Sequence, residues 1–290
     1  MTNPLQHLLS ILDLEKIDQN LFRGESGNSK WQRVFGGHVI AQALVAAQRS
    51  VTADRFIHSL HAYFIRPGDP NHPIIYEVEP LRDGRSFSTR RVVAKQNGAA
   101  ILSFSASFQI DEPGLDYQRP MPTGLPQPED LDGDDRINQA FVDTAPEIVR
   151  NYWNLHRPFI IRPIDREDYL KRNKHSPFQR CWFKLSGAVD GTRNLNTALL
   201  AYLSDMTLLD TSLLVHGLSL FSPDVIPASL DHSMWFHRPF HIDEWLLYDI
   251  ETPDTYGARG LSNGFIYSRE GKLIASVAQE GLMRLARPKI

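Results

Sequence analysis

The segment HSLHAYFIRP at positions 58–67 has a second version, LDHSMWFHRP, later in the chain at positions 230–239. The two segments align without gaps, and both end in Phe-x-Arg-Pro. Downstream, GAAILS at 98–103 aligns with GKLIAS at 271–276, at a spacing only one position wider. Two matches at nearly the same spacing indicate that the chain is an internal duplication.

Each proposed repeat has one apolar helix followed by four strands. The helices are predicted at 39–51 and 195–209, and the first of these is rich in Ala and free of Gly and Pro. Runs rich in Val, Ile, Phe and Tyr predict strands at 56–65, 74–80, 87–96 and 99–109, and at 229–238, 244–252, 259–269 and 272–285. Short turns force neighbouring strands to pair antiparallel, so each repeat is predicted to be a sheet wrapped on its helix.

A proline-rich acidic stretch separates the two repeats. Residues 111–135 contain five prolines among many acidic side chains and few apolar residues to bury. This composition predicts a surface linker, followed by a helix from Asp135 into the segment around Asn151. The predicted organisation is an N-terminal unit over 1–110, a linker over 111–150 and a C-terminal unit over 151–290.

The composition of the chain excludes several classes of protein. Its 290 residues are enough to bury a full core in one or two domains without disulfides or metals. The 31 basic and 34 acidic residues give a net charge of −3, so there is no basic surplus and we do not expect a nucleic-acid partner. No apolar run approaches the roughly 18 residues of a spanning helix, so we expect no membrane partner.

Signals for export, metals and cofactors are also missing from the sequence. Cys181 is the single cysteine, which permits no intrachain disulfide and is typical of a reducing compartment. The start, MTNPLQH, lacks the basic region of a secretory leader. Zinc-protease, phosphate-loop and dinucleotide-binding motifs do not occur. We therefore expect a cytoplasmic protein that uses no metal and no cofactor.

The sequence GLSNG at 260–264 matches the Gly-x-Ser-x-Gly pattern of serine hydrolases. That chemistry requires a strand, a tight turn and a helix, with an acidic residue and a histidine following the serine. No Asp or His follows Ser262, and the downstream residues are typical of a strand. We therefore interpret Ser262 as part of a structural bend between strands and not as a nucleophile.

Two polar residues interrupt patterns that are otherwise apolar. Gln279 falls on the apolar face of the predicted strand 272–285, and Asp205 lies in a helical segment with few charges. A buried amide or carboxylate needs hydrogen-bond partners, so each residue is a candidate site residue or a structural cap or sheet repair. In the alignment of the repeats Gln279 falls on Ala106, as expected if only the second repeat retained a site.

The sequence resembles the acyl-CoA thioesterase II family, whose members have the double hot-dog fold, over nearly its whole length. The resemblance is carried by six motifs, of which the block at 231–239 is the most specific. They are FRG at 22–24, VFGGHVIAQAL at 34–44, FIRPGD at 64–69, LRDGRSF at 81–87, DHSMWFHRP at 231–239 and EWLLY at 244–248. The resemblance implies an α+β fold of two antiparallel sheets, each wrapped around a long central helix and joined by the linker.

The catalytic group of that family is an Asp, a Thr or Ser, and a Gln that hold a water molecule. Matching of the motifs carries these roles to Asp205, Ser229 and Gln279. The implied reaction is hydrolysis of acyl-CoA to free fatty acid and CoA without a covalent intermediate. A thioester suits this chemistry, because its leaving thiol has a pKa of about 8.5 and needs little proton assistance. Asp205 is then the general base for the attacking water.

Supporting residues are candidates on chemical grounds. The backbone N–H groups after Gly36 and Gly37, at the start of a predicted helix, are candidate donors to the oxyanion. His58 is a second candidate base, because its strand is equivalent to that of Ser229, although a structural histidine is the alternative. Four basic residues are candidate contacts for CoA phosphates, with a solvated loop as the alternative: Arg162, Arg166, Arg172 and Lys174.

Two other functions remain open from the sequence. A hot-dog enoyl-CoA hydratase would pair its carboxylate with a histidine, and an acyl-CoA binding or sensing protein would keep the fold without turnover. For any of these we expect acyl-CoA as the ligand and a homodimer or homotetramer as the assembly, since hot-dog sheets leave edges and faces that often associate.

Overall fold

The computed structural model describes residues 3–27, 33–131, 157–164, 176–220 and 222–286. The helix predicted from Asp135 into the segment around Asn151 lies outside these residues. The first repeat contains α1 (Pro4–Leu12), β1 (Glu15–Asp18), β2 (Leu21–Gly24), α2 (Gly36–Gln48), β3 (Phe56–Phe64), β4 (Ile74–Asp83), β5 (Phe87–Gln96) and β6 (Ala99–Gln109). The four strands predicted for this repeat are therefore confirmed, and its helix begins at Gly36, slightly earlier than predicted.

The second repeat follows the same order, with additional short elements. All its described elements, from the linker onward, are a 3-10 turn (Pro128–Asp130), β7 (Phe159–Pro163), β8 (Phe178–Leu185), α3 (Arg193–Ser204), α4 (Leu208–Leu214), β9 (Val225–Ser229), β10 (Asp231–Phe236), β11 (Leu246–Tyr256), β12 (Arg259–Ser268) and β13 (Leu273–Leu285). All four predicted strands are present. The single helix predicted over 195–209 is wrong, because the helix ends at Ser204 and a second one begins at Leu208.

The strands of both repeats form one continuous antiparallel sheet. Their order is β1-β2-β4-β5-β6-β3-β10-β13-β12-β11-β8-β7, with β9 paired to β13. The sheets of the two repeats meet where β3 pairs with β10. At the centre of this pairing His61 lies opposite Ser233, which is its equivalent in the alignment of the repeats. Tyr63 faces Asp231 and Ser59 faces Trp235, so the joint has the symmetry expected of a duplication.

The helices α2 and α3 pack side by side in the core. Every residue of α2 from Gly37 to Gln48 is buried, which explains its run of Ala, Val, Leu and Ile. The Thr192 hydroxyl caps α3 by accepting a hydrogen bond from the backbone N–H of Leu195 at 3.3 Å. Because the two helices pack against each other, residues of both repeats share one apolar core.

The described part of the linker lies against the second repeat. Met121, Leu125 and Leu131 pack, partly buried, on an apolar cluster that includes Trp182. The indole N–H of Trp182 donates to the backbone oxygen of Pro126 at 3.0 Å. The expectation that this segment has too few apolar residues to bury is therefore wrong for these three side chains, which cover an apolar patch that the sheet would otherwise expose.

Candidate active site

The break between α3 and α4 places a carboxylate in the core of the molecule. Asp205 follows the last residue of α3 and is 9% exposed. The Gln279 side chain on β13 donates from Nε2 to Asp205 Oδ1 at 2.6 Å. The Ser229 hydroxyl at the end of β9 donates to the same oxygen at 3.5 Å. The three residues predicted from the family motifs, far apart in sequence, therefore meet at one carboxylate.

The first repeat contributes the start of α2 to the same place. The backbone N–H of Gly37 donates a hydrogen bond to the Asp205 carboxylate. A Cβ atom at Gly36 would lie 2.6 Å from Asp205 Oδ2 and 2.8 Å from the Phe64 ring. One at Gly37 would lie 2.2 Å from the backbone oxygen of Tyr202 in α3. Glycine is therefore required at both positions for the helix start to approach the carboxylate.

The environment of Asp205 makes it a stronger base than an exposed aspartate. Burial raises its pKa from 3.8 to about 6, and the hydrogen bonds from Gln279, Gly37 and Ser229 act in the opposite direction. The start of α2 also stabilises negative charge at this position. Asp205 is consequently ionised at neutral pH while its pKa stays near the working pH, which is the combination that a general base requires.

One acceptor in the site has no partner among the described residues. Gln279 uses its amide nitrogen on Asp205, whereas its amide oxygen Oε1 is buried without a hydrogen bond. Leaving such an acceptor unsatisfied costs about 1–3 kcal/mol. The oxygen therefore marks a place where a donor from a bound molecule would be stabilised, next to the Asp205 carboxylate.

The turn that carries Asp205 is held by two buried residues that sequence reasoning missed. The Tyr248 hydroxyl donates to the backbone oxygen of Ser204 at 2.9 Å, and the Ser204 hydroxyl lies 2.9 Å from Nε2 of His232. Burial lowers the pKa of His232 to about 3, so its ring is neutral. Both residues fall within the family motifs at 231–239 and 244–248, which was the available signal.

His58 does not join this group in the described structure. Its Nε2 lies 2.8 Å from the Ser107 hydroxyl, and its ring packs edge-on against Phe87. Burial lowers the pKa of His58, and the neighbouring His61 lowers it further. None of the contacts recorded for His58 involves Asp205. The prediction of His58 as a second base therefore gains no support from its surroundings.

Ser262 lies within β12 and not at a bend, so the predicted position between strands is wrong. Its hydroxyl is buried and forms hydrogen bonds with Ser212 at 2.8 Å and Thr252 at 3.0 Å. The strand continues through Gly264, without the turn and helix that a nucleophile elbow requires. Ser262 is thus part of a buried group of three hydroxyls that also involves α4.

The candidate phosphate contacts are only partly described. Arg162 donates to the backbone oxygen of Pro128 and lies over the ring of Trp245, with 5.0 Å from Cζ to the ring centroid. Arg166, Arg172 and Lys174 lie outside the described residues. Within the described ranges, no group of three or more His, Cys, Asp and Glu side chains is placed to hold a metal ion. No helix in those ranges is long and apolar enough to cross a bilayer.

One antiparallel sheet formed by the strands of two repeats, with one buried helix from each repeat in a shared core, is the architecture of a double hot-dog protein. Family models agree: residues 27–109 match the acyl-CoA thioesterase N-terminal domain, and residues 150–282 match acyl-CoA thioesterase. The chain is 41% identical to acyl-CoA thioesterase 2 of Haemophilus influenzae over 99% of this chain and 100% of that protein. This chain belongs to the acyl-CoA thioesterase II family.

Further relatives and solved structures are similar over nearly the full length. Human acyl-coenzyme A thioesterase 8 is 39% identical, with 97% of this chain and 89% of that protein covered. The crystal structure of an acyl-CoA thioesterase II, TesB2, from Mycobacterium marinum superposes with a TM-score of 0.80 at 37% identity, covering 98% of this chain and 99% of that one. A hot-dog protein of unknown function from Alicyclobacillus acidocaldarius shares the fold, with a TM-score of 0.75, 19% identity, and 97% and 98% coverage.

Proposed function

We propose that this protein hydrolyses acyl-CoA thioesters to free fatty acid and CoA by activating a water molecule at Asp205. The observation that carries the proposal is the buried carboxylate of Asp205 beside the amide oxygen of Gln279, which accepts no hydrogen bond from the part of the chain that the structure describes. Family membership and the named activities of relatives with about 40% identity support the same reaction class.

The hydrogen-bonding capacity of the site suits one water molecule. A water has two protons, of which one can be donated to the Asp205 carboxylate and the other to Gln279 Oε1. Its lone pair is then free to attack the thioester carbon. Ser229 and the amide nitrogen of Gln279 hold the carboxylate in place by donating to Oδ1. Each side chain therefore has a separate task, and Asp205 is the group that accepts the proton.

The reaction balances without a covalent enzyme intermediate. As the water oxygen bonds to the carbonyl carbon, its proton passes to Asp205. The C–S bond then breaks, and the proton leaves Asp205 to neutralise the departing thiolate or to enter the solvent. For the oxyanion we propose the Gly36 N–H at the positive end of α2, since the Gly37 N–H already donates to Asp205.

The two rival functions find less support in the site. A hydratase would need a histidine beside the carboxylate, but Asp205 receives its hydrogen bonds from Gln279, Gly37 and Ser229. A pure binding protein would have no need of a base with a pKa near the working pH. The thioesterase proposal accounts for both the raised pKa of Asp205 and the unpaired oxygen on Gln279.

Release of free thiol from acyl-CoA tests the proposal directly. The purified protein is incubated with acyl-CoAs of several chain lengths in the presence of a chromogenic thiol reagent. Enzyme-dependent release, lost in Asp205→Asn, is the expected result. If the wild type releases no thiol at any chain length but binds acyl-CoA in calorimetry, it is a binding protein. If an enoyl-CoA is hydrated without thiol release, it is a hydratase.

We further propose that each chain consists of two hot-dog units, 1–110 and 151–290, joined by the linker 111–150, and that two or four such chains form a cytoplasmic homodimer or homotetramer that acts in fatty acid metabolism. The single cysteine, Cys181, is buried, which suits a reducing compartment. Light scattering coupled to size-exclusion chromatography measures the assembly, and a mass of 33.0 kDa for the eluted species would contradict it.

A further inference from the structure

The strand pairing beside Gln279 is irregular. Ser229 of β9 lies opposite Gly281 of β13, and Ser233 of β10 lies opposite Ala278. Between these two pairs, positions 230–232 face only positions 279 and 280 of β13. An extra residue of this kind forms a β-bulge, which re-aims the neighbouring side chains. The bulge therefore lies at the point where Gln279 must turn towards Asp205.

The side chain of Asp231 replaces a ladder hydrogen bond that the bulge disrupts. Its Oδ1 accepts a hydrogen bond from the backbone N–H of Glu280 at 2.8 Å. The backbone N–H of Leu230 donates to the backbone oxygen of Glu280 at 2.9 Å. Both backbone groups of Glu280 are thus held by the bulge. The N–H that Asp231 holds belongs to the peptide group that links Gln279 to Glu280, so this bond restrains the backbone of Gln279.

We propose that Asp231 is a positioning residue for the reaction, which acts by fixing the peptide after Gln279 so that its amide reaches Asp205. Asp231 does not touch the reacting atoms in this assignment. The inference rests on the proposed function, because it concerns the orientation of Gln279, which is proposed to hold the water. A carboxylate is suited to the task, since a charge-assisted hydrogen bond to a backbone N–H is stronger than a neutral one.

Comparison of the two repeats supports this role. The alignment of 58–67 with 230–239 makes Asp231 equivalent to Ser59, and the downstream alignment makes Gln279 equivalent to Ala106. The pairing of β3 with β6 is also irregular, between Ile57 and Ser59. The first repeat therefore has an irregular pairing at the equivalent place. It has Ala106 at the position of Gln279, and Ser59 at the position of Asp231. Asp231 thus occurs in the same repeat as Gln279, whose side-chain amide must be oriented towards Asp205.

Kinetics of Asp231→Ala, Asp231→Asn and the matched control Ser59→Ala test the proposal. Asp231→Ala removes the acceptor, and misplacement of Gln279 is expected to lower kcat by about 10- to 100-fold with KM within about twofold of the wild type. Asp231→Asn keeps an Oδ1 acceptor of the same shape and is expected to retain most of the activity. Ser59→Ala is expected to change neither constant. An asparagine variant as impaired as the alanine variant would overturn the proposal.

A double-mutant cycle separates positioning from a general structural effect. In a Gln279→Met background the amide is already gone, so adding Asp231→Ala is expected to lower kcat no further. A further loss equal to that in the wild-type background would refute the assignment. If Asp231→Ala does not fold, Asp231→Ser takes its place, because serine is the residue at the equivalent position of the first repeat, Ser59, and it lacks the carboxylate that accepts from the Glu280 N–H. Wild-type thiol release with unimpaired Asp231 variants would contradict this inference alone, whereas an inactive wild type would contradict the proposed function.

Discussion

Replacing the proposed base with its amide, Asp205→Asn, should make the protein more stable while removing its activity. The pKa of Asp205 rises from 3.8 to about 6 in the folded state because the side chain is buried. At 1.36 kcal/mol for each factor of ten, this difference of about 2 corresponds to about 3 kcal/mol of unfolding free energy. Ionisation of Asp205 therefore destabilises the fold by that order at neutral pH.

The sign of the pH dependence follows from which state binds the proton more tightly. The folded state holds the Asp205 proton more tightly than the unfolded chain, so the unfolding free energy falls as the pH rises from about 4 to about 6. The asparagine variant lacks this decline. Between pH 5 and pH 8, its stability advantage over the wild type should therefore grow by about 1.4 kcal/mol, which is the cost of ionisation over the remaining unit below pH 6.

Two measurements check this prediction together. Urea unfolding at pH 5 and pH 8, followed by tryptophan fluorescence, gives the difference in unfolding free energy between variant and wild type. Thiol release from acyl-CoA gives turnover, which should fall by about 100-fold or more when the base is lost. The amide still accepts the hydrogen bond from Gln279, so the fold should be intact. A variant that is less stable than the wild type at pH 8, or that keeps a tenth of its turnover, would refute the reasoning.

Two further predictions concern the surroundings of the carboxylate, and a third concerns the buried hydroxyl of Ser262. Gln279→Met removes a hydrogen bond that lowers the pKa of Asp205, so the acidic limb of the pH profile of kcat/KM should move up by about one pH unit. An acidic limb that stays at about pH 6 would contradict this prediction. Gly36→Ala places a Cβ atom 2.6 Å from Asp205 Oδ2 and should lower kcat by about 10-fold or more. The control Gly114→Ala, whose Cβ has no atom within 4 Å, should leave kcat unchanged. Ser262→Ala should leave turnover unchanged and lower the unfolding free energy by about 1 kcal/mol, measured by urea denaturation, and a large loss of turnover would restore the serine-hydrolase interpretation.

The pattern of the sequence predicted eight of the described strands correctly, but it missed β1, β2, β7, β8 and β9, and it misplaced the end of the second helix. Strands such as β5 and β12 have ten residues each and alternate in burial along most of their length, which is the local signal that period-2 patterning captures. The apolar residues Met206, Leu208 and Leu209 favoured one helix over 195–209, and only the alternative interpretation of Asp205 as a cap pointed to the break before Leu208. The break is stabilised by contacts from elsewhere, since Tyr248 binds Ser204 and Gln279 binds Asp205.

The candidate site shows the same division. Polar residues in apolar stripes pointed to Asp205 and Gln279, because a buried amide or carboxylate disturbs a regular pattern. Ser229 came only from the family motifs, since a serine at a strand end has no such signal. His232 and Tyr248 were missed because a histidine and a tyrosine in a strand are ordinary in sequence, and their contacts with Ser204 depend on the packing of strands against α3.

The order of residues along the chain was enough to reveal the duplication, the strand-rich halves and the polar residues that had to find partners. It did not reveal that the start of α2 in one repeat meets Asp205 in the other, or that Gln279 donates to that same carboxylate from β13. Local patterns encode backbone preference and burial, whereas contact between distant residues is set by how the helices and the sheet pack. The same packing removes Asp205 from water and so raises the pKa of its carboxylate to the value that a general base needs.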